Sequence, residues 1–145
     1  MNSSRLRFER LQSYDDTSVI QMLFSAENDL HKTTIDIYFS IDHLVEFANQ
    51  LREFPFSKNE IALAIGDNST RLYAYLFLRA YVYDRPGHAG LEIKTRQNGS
   101  PLIASESHFT IMTEVASINA LASALLEWST STERKFEFSL YSGLH

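Results

Sequence analysis

The apolar residues of this chain change their spacing at two places, and this change restricts the fold more than any other feature. Over 32–39, apolar and polar residues alternate, with Ile35 and Ile37 on one face, which is typical of a half-buried strand. After Ser40 the apolar residues recur every three or four positions, which is typical of an amphipathic helix. The spacing therefore predicts a strand that runs directly into a helix over 40–52, with Ser40 as its N-cap.

The same change of spacing occurs again 74 residues later, where Ile41 corresponds to Val115. It predicts a second helix over 114–128, with Thr113 as its N-cap. Two interpretations of this repeat stay open. Either the chain contains a duplicated strand–helix unit, or any two units of this kind share the same hydrophobic spacing.

The rest of the chain is rich in strand and turn signals. Pro86-Gly87 is typical of a two-residue turn, and Asn98-Gly99-Ser100 of a three-residue loop, and such tight connections join antiparallel strands. Together with the strand over 32–39, the predicted strands cover 5–12, 19–25, 61–65, 71–83, 90–96, 102–112 and 135–141.

These elements predict a single α+β domain over 1–145, the usual length of one domain. We expect an antiparallel sheet of about seven or eight strands, with the two helices packed on one face. The predicted core consists of the apolar residues on the inner faces of these elements: Ile35, Ile37, Leu44, Phe47, Leu51, Leu63, Leu76, Leu78, Phe109, Ile111, Ile118, Leu121 and Leu125.

The composition restricts the classes of function. The net charge of −5 argues against a nucleic-acid-binding protein, because such proteins usually carry a basic patch. The chain has no cysteine, which excludes disulfides, thiolate metal sites and cysteine nucleophiles. It has no apolar run long enough to span a membrane and no secretory signal, so we expect a cytoplasmic protein without a membrane partner.

The sequence contains no catalytic motif. None of the five histidines has the spacing of a helical metal site, and no nucleophile elbow, phosphate-binding loop or dinucleotide-binding motif is present. His108 and Glu106 share a face of one predicted strand and form a candidate acid–base pair, but any residues two apart on a strand do so. We therefore predict no catalytic residue, metal or cofactor, and the sequence favours a protein that is not an enzyme.

The predicted strand over 71–83 has an unusual second face, which carries aromatic and arginine side chains. Tyrosine and arginine are enriched at the energetic centres of protein interfaces, so we predict that this face binds a partner. An alternative is that the tyrosines pack under a curled sheet with their hydroxyls in water. The predicted partner-binding residues are Tyr73, Tyr75, Phe77, Arg79, Tyr81 and Tyr83.

The predicted turn at Pro86-Gly87 also sets the register of the two strands that it joins. It places Arg79 opposite Lys94, so that two like charges face each other unless they splay apart or an anion lies between them.

Over residues 18–128 the chain resembles the small bacterial immunity proteins of the WapI type. The resemblance lies in the strand–helix unit from Ile35 to Leu51, the double-strand block 71–96, and His108-Phe109-Thr110-Ile111 running into Val115–Trp128. It implies a non-enzymatic protein that binds and neutralises a toxin domain. An acidic protein suits a basic toxin, because complementary charge accelerates capture.

Two other functions stay open. One is a small-molecule-binding domain or enzyme with a pocket between sheet and helices, which a buried polar cluster around His108 and Glu106 would favour. The other is a homodimer that pairs its aromatic sheet faces and has no other partner.

Overall fold

The computed structural model describes residues 4–13, 19–66, 74–84, 87–98 and 104–141. No helix in these ranges is both long and apolar enough to cross a membrane. The strand pairs described are all antiparallel, so the predicted α+β class with two helices is confirmed. In chain order the elements are β1 (Ser4–Ser13), β2 (Val19–Glu27), β3 (Lys32–Ser40), α1 (Ile41–Arg52), β4 (Glu60–Ile65), β5 (Ala74–Val82), β6 (His88–Gln97), β7 (Ser105–Glu114), α2 (Val115–Ser129) and β8 (Lys135–Leu140).

The eight strands form two four-stranded sheets, whereas the sequence predicts one. The first sheet has the order β3-β2-β1-β8 and the second has the order β4-β5-β6-β7. A short connection fixes only the pairing of the two strands that it joins. Each helix instead carries the chain from one sheet to the other, and hydrophobic spacing does not show which sheet a strand joins after a helix.

The two halves of the chain share one order of elements: three strands, a helix and a fourth strand. The fourth strand of each half pairs in the sheet of the other half, so that β4 lies beside β5 and β8 lies beside β1. The helices begin at Ile41 and Val115, which preserves the offset of 74 residues found in the sequence. This shared order favours duplication as the origin of the repeat.

Each sheet buries one face against a hydrophobic core to which both helices contribute. Every residue of the predicted core is buried. A hydrogen bond between the hydroxyls of Thr33 and Thr95, at 2.7 Å, joins β3 to β6 of the other sheet inside this core. The core also contains fully buried side chains of β1 and β2 that the prediction leaves out: Leu6, Phe8, Met22 and Phe24.

The two helices begin differently. Ser40 is the N-cap of α1, as predicted, and its hydroxyl accepts a hydrogen bond from the N–H of Asp42. The prediction of Thr113 as the N-cap of α2 is wrong, because the cap position is Glu114, which makes no capping hydrogen bond with its side chain. Thr113 is buried at the end of β7, where its hydroxyl donates to the carbonyl of Tyr141 at 2.6 Å.

The carboxyl end of α2 is held by Arg10 of β1. The guanidinium donates hydrogen bonds to the carbonyls of Trp128, Ser131 and Glu133 at 2.8, 2.9 and 3.0 Å. It also lies 4.2 Å from the centre of the Trp128 ring. Burial lowers the pKa of Arg10. A cation at this position is favourable, since the carbonyls at the end of a helix carry partial negative charge.

Candidate protein-interaction surface

The predicted partner-binding residues lie mainly on the solvent-facing side of the second sheet. On β5, the half-buried side chains of Tyr75, Phe77, Arg79 and Tyr81 alternate with fully or largely buried aliphatic ones. Tyr73 lies outside the described residues. We call the solvent-facing side of β4, β5, β6 and β7 the outer aromatic face.

The pairing of β5 with β6 differs by two residues from the predicted one. Val82 pairs with Ala89, so the connection is longer than a two-residue turn. Arg79 therefore lies opposite Glu92 and not opposite Lys94 as predicted. The observed register replaces a repulsion between like charges by an attraction between opposite charges.

The connection between β6 and β7 is also longer than the three residues predicted. Gln97 pairs with Ser105, although residues 99–103 within the connection lie outside the described part of the chain. Phe109 and Ile111 nevertheless lie on the buried face, as predicted. The register shift is an even number of residues, and an even shift leaves each side chain on its own face of the sheet.

Arg79 is the centre of the charged network on the outer aromatic face. Its guanidinium donates to Glu92 of β6 at 2.7 Å and to Glu60 of β4 at 3.0 Å. It also lies 4.2 Å from the centre of the Tyr81 ring. The hydrogen bond to Glu92 is the largest influence on the pKa of Arg79 and raises it, with a further rise from Glu60. Three strands thus hold one guanidinium in a fixed position.

Glu92 connects this network to β7. Its second carboxylate oxygen lies 2.7 Å from Nε2 of His108, and its side chain is only 13% exposed. Burial raises the pKa of Glu92, but the hydrogen bonds from Arg79 and His108 outweigh burial, so the pKa lies below its ordinary value. The candidate pair of His108 and Glu106 has other partners in the structure: His108 lies against Glu92, and Glu106 pairs with Arg96 at 2.6 Å.

The ring of Tyr81 lies directly over Gly90, its neighbour across the strands. A Cβ atom at Gly90 would approach the ring to 2.9 Å, closer than carbon atoms pack. The absence of a side chain at Gly90 therefore allows Tyr81 to lie flat on the sheet. In that position the ring supports the guanidinium of Arg79.

Tyr83 does not present its hydroxyl to solvent. The ring stacks on His88 with 5.8 Å between ring centres, and the hydroxyl is buried with no hydrogen-bond partner among the described residues. Burial raises the pKa of Tyr83, and the nearby carboxylate of Asp84 raises it further. Of the predicted contact residues described, Tyr75, Phe77, Arg79 and Tyr81 therefore remain as the outward-facing set.

Lys94 occupies a different part of the face. Its ammonium lies 5.0 Å from the centre of the Phe77 ring, within reach of a cation–π interaction. A shallow cleft of about 170 Å³ lies beside it, lined by Tyr75, Lys94, Thr95, Glu106, Ser107 and His108. His108 is 59% exposed at this cleft. Glu106 and His108 are therefore exposed to solvent at this cleft, whereas Thr95 is buried.

Sequence reasoning missed two parts of the charged surface. Glu60 belongs to the network of Arg79, but its strand could not be placed beside β5 from spacing alone. On the first sheet, Arg7 pairs with Glu137 at 2.8 Å and Arg5 lies 3.6 Å from Glu27. The alternation of charged and apolar residues in β1 was the only signal for this second network.

Within the described ranges, no group of three or more histidine, aspartate or glutamate side chains is arranged to hold a metal ion. Comparison with models of known protein families and with curated proteins finds no match to this sequence.

Proposed function

We propose that this chain is a protein-binding module and that the outer aromatic face contacts its partner. The observation that carries the proposal is that the Arg79 side chain on this face is already held in one position without a partner. Arg79 is held by Glu60, Glu92 and the Tyr81 ring at fixed distances. A side chain that is already ordered loses little conformational entropy on binding, so more of its contact energy contributes to affinity.

The chemistry of the face supports a macromolecular partner over a small molecule. The aromatic rings offer broad apolar area, and the arginine offers several hydrogen-bond donors, a combination enriched at interface centres. His108 is exposed rather than buried in a polar cluster, and the cleft beside it has a volume of only about 170 Å³. Pockets for drug-sized ligands usually exceed about 300 Å³.

The resemblance to WapI-type immunity proteins suggests a toxin domain as this partner. The net charge of −5 supports a basic partner, because opposite net charges accelerate association. The outer aromatic face itself carries nearly balanced charges, four acidic and three basic side chains, which would fix orientation rather than attract the partner from a distance: Glu60, Glu92, Glu106, Glu114, Arg79, Lys94 and Arg96.

The first step of the test is to identify the partner. The immobilised protein is used to capture it, and the neighbouring reading frame is inspected for a toxin. The affinity of the purified pair is then measured for Tyr75→Ala and Phe77→Ala. We expect each change to weaken binding by about 1 kcal/mol or more, roughly fivefold, with a nearly unchanged thermal midpoint. Arg79→Ala is less informative, because it also leaves the poorly exposed carboxylate of Glu92 without its cation.

Tyr38 provides the matched control. It lies on the solvent-facing side of the first sheet and is 42% exposed. Tyr38→Ala therefore removes the same side chain from the opposite sheet, and we expect it to leave the affinity unchanged. Wild-type affinity in both Tyr75→Ala and Phe77→Ala would refute the outer aromatic face as the contact surface. So would a larger loss of affinity in Tyr38→Ala.

A further inference from the structure

The two sheets together have four edge strands, and two of these edges are capped by side-chain amides. The amide of Gln97 donates to the carbonyl of Asp36 on β3 at 3.1 Å and accepts from its N–H at 2.6 Å. The amide of Asn28 donates to the carbonyl of Thr110 on β7 at 3.1 Å. These contacts occupy backbone groups that would otherwise be available to pair with another strand.

The edge of β4 differs from those of β3 and β7. β4 pairs with β5 on one side, and no side chain in the described part of the chain bonds to its backbone on the other. Proteins usually protect an open edge with lysine, proline or a bulge. The sequence of β4, Glu-Ile-Ala-Leu-Ala-Ile, contains neither residue, and its register with β5 is regular. β4 therefore has none of these three protections, and α1 flanks the strand across a groove.

A groove of about 180 Å³ runs between this strand and α1. It is lined on the helix by His43, Glu46, Phe47 and Gln50 and on the strand by Ala62, Leu63 and Ala64. The alanines are exposed and small, so they leave space above the strand. Glu46 also lines a second groove that continues along the outer side of α1.

The surroundings of this groove are acidic. From 42 to 60 the chain carries four acidic residues against two basic ones: Asp42, Glu46, Glu53 and Glu60 against Arg52 and Lys58. The outer aromatic face shares Glu60 with this region, where Arg79 pairs with it at 3.0 Å, and its own excess is smaller, with four acidic against three basic side chains. The acidic residues that remain lie along the outer side of α1, where Asp42, Glu46 and Glu53 line one groove together with Arg52.

We infer that the edge of β4 binds a basic, extended segment of a partner protein, which adds a fifth strand to the second sheet. Backbone hydrogen bonds to β4 supply the affinity, and lysine or arginine side chains of the segment lie near Glu46 and the acidic side of α1. A second copy of this chain is a poorer occupant, since β4 pairing with itself would bring two acidic helices together. This edge borders the outer aromatic face, since Ala62 and Ala64 lie opposite Arg79 and Phe77, but Tyr75 lies beyond the residues of β5 that pair with β4.

The probes are two synthetic peptides of six residues, the length of β4, with blocked ends and alternating valine and charged residues. One carries lysine and the other glutamate. We expect the lysine peptide to bind at least about tenfold more tightly in fluorescence anisotropy at low salt. In hydrogen-exchange measurements it should slow exchange at β4. An N-methylated lysine peptide has the same charge but cannot pair as a strand, and we expect it not to bind.

Two charge-reversal variants distinguish the effect of a charge beside the groove on peptide affinity from the effect of the net charge. Glu46→Lys should weaken binding of the lysine peptide by about fivefold. Glu127→Lys changes the net charge equally on the exposed surface of α2 and should leave the affinity unchanged. Tyr75→Ala should also have no effect, which distinguishes this proposal from the proposed function.

Four results would overturn the inference. These are no binding of the lysine peptide, equal affinity for the two charged peptides, wild-type affinity of the N-methylated peptide, and protection at an edge other than β4. A concentration-dependent dimer in sedimentation experiments with protection at β4 would assign the edge to a second copy and equally reject a basic partner.

Discussion

Replacement of Arg10 by alanine should destabilise the protein far more than loss of an ordinary surface arginine. The guanidinium makes three hydrogen bonds, one to the carbonyl of Trp128 in the last turn of α2 and two to carbonyls of the segment that follows the helix, and it stacks on Trp128. Hydrogen bonds to a charged group contribute about 1.5–3 kcal/mol each, but these three share one side chain and are partly solvated, so they do not add. We expect a net loss of about 3 kcal/mol for Arg10→Ala.

The assay is thermal and urea unfolding followed by circular dichroism. For a domain of this size, a loss of about 3 kcal/mol lowers the thermal midpoint by about 6–12 °C. Arg10→Lys keeps the charge, but a single ammonium cannot reach three carbonyls with the planar geometry of a guanidinium, so it should recover only part of the loss. If the substitutions change only stability, the slope of the unfolding free energy against urea concentration should equal that of the wild type.

Arg5→Ala is the matched control. Arg5 lies on the same strand but forms only exposed ion pairs with Glu27 and Glu137, at 3.6 and 3.5 Å. Such pairs contribute about 0–1 kcal/mol. If Arg10→Ala costs no more than Arg5→Ala, or if Arg10→Lys equals the wild type, the fixation of α2 by the guanidinium of Arg10 is not a source of stability.

Three further predictions concern the core and the outer aromatic face. Phe47→Ala and Leu121→Ala should each lower the free energy of unfolding in urea by about 2–5 kcal/mol, and near-neutral values would contradict the assigned helix faces. Gly90→Ala should displace the Tyr81 ring, which NMR would detect as changed ring-proton shifts; unchanged shifts would show that the close approach is absent in solution. Because the pKa of Glu92 is lowered in the folded state, its contribution to stability is present above the unfolded pKa of about 4.3 and is lost as pH falls through the lower folded value. Glu92→Gln should therefore make the stability less dependent on pH in this acid range, and an unchanged dependence would contradict the assignment.

The elements and the core could be predicted because hydrophobic spacing reports directly which side of a strand or helix is buried. The segment from Ile35 to Leu51 shows this, since the spacing identified both the strand and the buried face of α1. Thr113 shows the limit of local rules. Threonine is a good N-cap, but here its side chain lies in the core and bonds to Tyr141, a residue distant in sequence.

The charged network could not be predicted, because local sequence rules do not report contacts between residues distant in sequence. Its register depends on contacts between strands, such as Arg79 with Glu92 and Tyr81 over Gly90, which a turn sequence does not encode. Glu60 joins the network only because α1 carries the chain into the second sheet. Local spacing therefore identified the composition of the outer aromatic face but not its electrostatic partners.

The exchange of fourth strands also governs how the chain can fold while it is synthesised. Among the described strands β1 is synthesised first and its partner β8 last, with Ser4 paired to Leu140. The amino-terminal half therefore waits with one strand of its sheet unpaired, and β4 waits for β5. Pairings so distant in sequence slow folding, because the chain loses much entropy before these contacts form. We expect the domain to reach its native state in one cooperative step only after β8 has left the ribosome.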